Sequence, residues 1–128
     1  MAYYINKSVA GEFDTIIEQV VELLKGEGFG VLTEIDVDQV LKNKIGADFR
    51  KYKILGACNP HFAHKALLSE DKIGTMLPCN VIVQDLGNGE VEVAAVDPVA
   101  SMAAVGNQAL LTMAEEVRSK LSHVIKQL

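Results

Sequence analysis

Apolar residues recur along this chain at two spacings, every second residue in some stretches and every third or fourth in others, and the change from one to the other marks out the elements. Tyr3–Val9 predicts a first strand that Gly11 ends. Phe13, Ile16, Ile17, Val20, Val21 and Leu24 then recur at helical spacing with Glu18, Gln19, Glu22 and Lys25 between them, the pattern of a helix with one buried stripe. Gly26 and Gly28 stop that helix, and Phe29–Ile35 follows as a strand. Asp36 with Gln39 has the form of a capping box opening a short helix through Val37, Val40, Leu41 and Ile45, which Gly46 ends.

Tyr52–Cys58 predicts the next strand, and Asn59-Pro60 has the cap-then-proline form of a helix start, with Phe62, Ala63, Ala66 and Leu67 on the inward face. A turn region around Gly74 and Pro78 leads into Asn80–Asp85, and Gly87-Asn88-Gly89 joins this strand to Glu90–Val96 as a hairpin. Asp97-Pro98 opens another helix, Gly106-Asn107 punctuates it, and a long last helix aligns Leu110, Ala114, Val117, Leu121, Val124 and Leu128. Strands that include one antiparallel hairpin, interleaved with single-faced helices, predict an α+β fold, a two-layer α/β sandwich with a mixed sheet and helices mainly on one face. Glu90-Val91-Glu92-Val93 alternates as a sheet with one wet face does, against a doubly wound parallel sheet. With no repeat, linker or low-complexity stretch, residues 1–128 read as a single domain.

Composition sharpens this picture. Hydrophobic residues make up 49% of 128 positions with no Trp, so the core is aliphatic and its surplus points to apolar surface shared with a second subunit. A net charge of −5, from 12 basic and 17 acidic residues without a basic run, argues against nucleic acid as a partner. The start of the chain does not resemble a secretory signal, and no apolar run approaches the ~18 residues of a membrane span, so the expected location is cytoplasmic, with no membrane partner. Two cysteines, Cys58 and Cys79, are too few for a disulfide framework and are expected as thiols.

The segment Tyr52–Pro60, followed by Ala63, Ala66 and Leu67 and then by Ile73–Val81, resembles the central motif of the bacterial and archaeal family known as domain of unknown function 302. The likeness extends to Gly28–Asp36 before it and to Asp97-Pro98, Val105–Asn107 and the last helix after it. The resemblance implies a compact, self-associating α/β domain with no agreed activity. The family motif does not call for histidine at the positions of His61 and His64.

The residues with chemistry gather at one junction. Cys58 ends a strand just before the helix start at Asn59-Pro60, where free N–H groups lower a nearby thiol's pKa; Cys79 and Asn80 open another strand. Cys58, Asn59, Cys79 and Asn80 are therefore the candidate ligand-binding residues. The C-x-x-H spacing of Cys58 and His61, with Cys79 as third ligand and His64 or water as fourth, sketches a zinc site. Each feature also has a plain structural reading, in which the thiols are packing residues and Asn59, Asn80 and Asp97 are caps. No nucleotide-binding glycine loop, nucleophile elbow or zincin helix is present. The sequence leaves the cofactor and any catalysis unassigned. It leaves three functions in competition: a homodimeric small-ligand or protein-binding module without catalysis, a thiol enzyme using Cys58, and a zinc protein using Cys58, His61 and Cys79.

Overall fold

The computed structural model describes residues 2–128. Five strands form one sheet: β1 (Tyr4–Ala10), β2 (Gly30–Asp36), β3 (Tyr52–Cys58), β4 (Cys79–Gly87) and β5 (Glu90–Val96), in the order β1-β5-β4-β3-β2. The helices are α1 (Phe13–Gly26), α2 (Val37–Ile45), α3 (Pro60–Ser69), α4 (Pro98–Met102) and α5 (Gln108–Lys126). The α+β sandwich is as expected, but the sheet is antiparallel at every pairing rather than mixed. Strands β1 and β2 run the same way yet occupy opposite edges, with α1 as the crossover between them, so no parallel pair forms. Helices α2 and α3 return the chain to an adjacent strand, as long hairpin loops would.

Alternation along each strand decides which side the helices cover. Leu55 and Ala57 on β3, Val81 and Val83 on β4, and Val91, Val93 and Ala95 on β5 are all buried, in one cluster with Phe13, Val20 and Leu24 of α1 and Val117, Leu121 and Val124 of α5. The two long helices therefore pack on the same side of the sheet. Each fully buried Leu or Val contributes roughly 1.5–3 kcal/mol, which is why the one-stripe pattern was readable in advance. Lys7, on the helix side of edge strand β1, reaches the end of α5 and donates to the Lys126 carbonyl oxygen at 3.3 Å, a favourable place for a cation. A second, smaller cluster of Ala66, Ile73, Met102, Leu110 and Ala114 lies beside the first.

The β4–β5 hairpin turns on Asn88 and Gly89, which both have left-handed φ (59° and 76°), the signature of a type I′ turn and the reason an Asn-Gly pair stands there. Asn107 caps α5 through the Leu110 N–H, at 3.1 Å. Three local expectations need correction. Asp36 makes no cap at the start of α2; its carboxylate pairs with Lys53 on the neighbouring strand at 3.3 Å, and Asp38 accepts the Tyr52 N–H instead. Leu67 does not face inward but is 43% exposed, because α3 turns only Phe62, Ala63 and Ala66 toward the core. The turn before Pro78 contains a 3-10 helix, Asp71–Met76, which buries Ile73.

Candidate functional site

Strand β3 delivers Cys58 to one end of the sheet, and Asn59-Pro60 turns the chain there into α3. The Asn59 side chain accepts from the Phe62 N–H at 3.5 Å, satisfying one of the free donors of the first turn. Its amide nitrogen rests against Gly28, where a Cβ would come within 3.2 Å and φ is +86°; glycine is required at that position on both counts. At the same end, Asp97-Pro98 opens α4. The Asp97 carboxylate is only 3% exposed, accepts from the N–H groups of Val99 (3.0 Å) and Ala100 (3.4 Å), and binds the Arg118 guanidinium of α5 at 2.9 Å. This helix start is thus filled by the chain's own carboxylate.

Between these two proline-led helices lies a cavity of about 40 Å³. Its floor is Ala57 of β3 and Phe29, just before β2, and its walls are Phe62, Ala63 and Ala66 of α3, Met102 of α4, and Leu110 and Met113 of α5. Cys58, Asn59 and Cys79 also border it. Burial pushes the Cys79 thiol up from its ordinary value near 9 to about 11, with Cys58 beside it adding to the shift. Cys79 is therefore a neutral thiol at physiological pH, a small apolar wall element with a weak donor.

Three of the four candidate binding residues, Cys58, Asn59 and Cys79, meet at this cavity. Asn80 does not. It pairs with Gly56 and, being next to Cys79 on a strand, points to the opposite face of the sheet, where it borders a broad open groove of about 400 Å³ with Tyr3, Tyr4 and Tyr52. Cys58, His61 and Cys79 are not gathered into a ligand set. His61 and His64 are exposed on α3, the helix face that buries Phe62 and Ala66 being the other one. Among the described residues no three His, Cys, Asp or Glu side chains are placed to hold a metal ion.

The pattern of apolar positions missed the methionines, phenylalanines and Leu110 as cavity walls. The available signal was the repeated Asx-Pro pair at 59–60 and 97–98, which marks two helices starting from the same end of the sheet. Gly56 is a further piece of the motif that acquires a reason: a Cβ there would overlap the Thr33 hydroxyl and come within 2.9 Å of the Pro78 ring. Strands β2 and β3 and the entry to β4 close up on that missing side chain.

A five-stranded antiparallel sheet with its two long helices packed on one side, and an apolar thiol-bordered cavity at the strand ends, defines a small α+β sandwich domain. The chain belongs to the family described as domain of unknown function DUF302, whose model matches residues 5–128. It is similar in structure to an uncharacterized conserved DUF302 protein from Bacillus stearothermophilus, with a TM-score of 0.91 and 29% identity over 99% of this chain and 98% of that one. No curated protein matches the chain. Among the described residues no helix is long and apolar enough to cross a membrane.

Proposed function

We propose that the protein is a homodimeric binding module that holds a small apolar ligand, or the apolar side chain of a partner, in the cavity between α3, α4 and α5, without a covalent step. The observation that carries this reading is the lining: aromatic, aliphatic and methionine side chains around a neutral Cys79 thiol. Such walls recognise by shape and dispersion, and Met102 and Met113 are flexible enough to re-pack around an occupant larger than the resting space. The Asp97 carboxylate already takes two N–H groups of its helix start and the Asn59 amide one of its own, which leaves less there for an anionic ligand.

Methyl NMR of the full chain titrated with 1-butanol tests this. Saturable shifts are expected at the methyls of Met102, Met113 and Leu110, and they are lost in Ala63→Leu, whose larger side chain fills the cavity from its half-buried edge. Non-saturable shifts, or shifts that survive in Ala63→Leu, would count against the cavity as the binding site.

A further inference from the structure

The sheet face turned away from the core carries rows of side chains that can be followed across the strands by their register. The middle row is Asn6, Ala94, Ile82, Ile54 and Ile35, each paired with the next. A solvated sheet face alternates toward polar residues, whereas four of these five are aliphatic, and Ile35 is 45% exposed. The adjoining row, Ser8, Glu92, Gln84 and Tyr52, is polar and internally bonded. Asn6 donates to Glu92 Oε2 at 2.9 Å, Gln84 donates to Glu92 Oε1 at 2.7 Å, and Arg50 Nε donates to Gln84 Oε1 at 2.8 Å. The bonded network thus carries a carboxylate on β5 and, two residues before β3, a guanidinium, with Gln84 of β4 midway between them.

We propose that this face is covered by a second copy of the chain, packed sheet to sheet about a twofold axis that lies along β4. The proposal rests on the homodimer reading above and assigns it a surface. Three observations support the commitment to a second copy. First, the area is of the right order: five strands at ~4.8 Å spacing and three rows of alternate residues cover roughly 20 by 20 Å in plan. That plan area is about 400 Å², and the exposed Tyr3 and Tyr4 at its rim extend it toward the ~800 Å² per partner that a standard interface buries. Second, a twofold axis along β4 places Ile82 against its own copy and the aliphatic row against itself, self-complementary as an isologous contact requires. Third, the same rotation lays the Glu92 end of the polar row over the Arg50 end of its copy. Two carboxylates already held by amide donors then meet two guanidiniums, whereas an axis across the strands would leave both charges without a counterpart.

Sedimentation equilibrium of the full chain at micromolar concentration, with circular dichroism as the check on folding, tests the assignment. The wild type is expected at twice 13.9 kDa. Ile82→Asp, at a position outside both core clusters, is expected to stay folded and to weaken association by roughly 30-fold or more. Glu92→Arg and Arg50→Glu are each expected to weaken it as well, and the double variant to recover toward wild type. A monomeric wild type would overturn the dimer and the face together. A dimeric wild type in which Ile82→Asp and both charge variants associate as tightly as before would overturn the face while leaving the dimer. A double variant weaker than either single one would overturn the axis along β4.

Discussion

Val20→Asp is expected to unfold the domain, and Glu22→Ala to leave its stability within about 0.5 kcal/mol. The two positions are half a helical turn apart on α1. Val20 is completely buried, in the cluster that joins α1 to the sheet and to α5. A carboxylate there has no partner and no solvent, a situation that costs at least about 4 kcal/mol and so a large part of the 5–15 kcal/mol that holds a typical domain together. Glu22 is exposed and pairs with Lys25, at 3.3 Å, in a pair that solvent screens on both sides. Urea denaturation of the two variants gives the comparison directly. Equal midpoints would mean that the buried stripe of α1 has been assigned to the wrong side.

The second large effect belongs to Asp97. Replacing it with Ala removes the acceptor for two N–H groups at the start of α4 and strands the Arg118 guanidinium that ties α5 to that helix. Loss of a cap alone costs about 1 kcal/mol. Breaking the ion pair adds to this, although less than for a fully buried pair, because Arg118 is half in solvent. A total near 3 kcal/mol, or a fall in Tm of about 10 °C, is expected. Asp97→Asn keeps the acceptor oxygen and should recover the cap share, so thermal melts of the two variants separate the cap from the pair. Identical melts for Asp97→Ala and wild type would show that α4 is not anchored in this way.

The elements were legible because their signals are local. The stripes of α1 and α5, the Asn-Gly turn at 88–89 and the two Asx-Pro helix starts each depend on a few neighbouring residues. What was not legible depends on long-range pairing. Nothing near Asp36 announces that Lys53 on the next strand outcompetes its own helix as a partner. The burial of Ile73 in a 3-10 helix follows from what lies over it rather than from its neighbours. The antiparallel sheet was hidden for the same reason, since helices between strands look alike whether they cross a sheet or only return to the adjacent strand. The site was half legible. Cys58, Asn59 and Cys79 do border one cavity, whereas Asn80 lies on the other face of the sheet, because adjacent strand residues face opposite sides. The metal sketch paired residues by spacing in sequence, but the turn of α3 that buries Phe62 sends His61 outward.

The reaction of Cys79 with iodoacetamide in the native protein, measured against pH and separated from that of Cys58 by peptide mapping, bears most directly on an apolar cavity bordered by a neutral thiol. With its pKa raised from near 9 to about 11, the thiolate fraction at pH 8 falls from about one in ten to about one in a thousand. Alkylation should therefore be roughly 100-fold slower than in the unfolded chain, should rise about tenfold per pH unit up to the raised pKa, and should slow further when 1-butanol occupies the cavity. Alkylation at pH 8 as fast as in the unfolded chain, and indifferent to 1-butanol, would contradict it and would place an ionised, accessible thiol in the cavity wall.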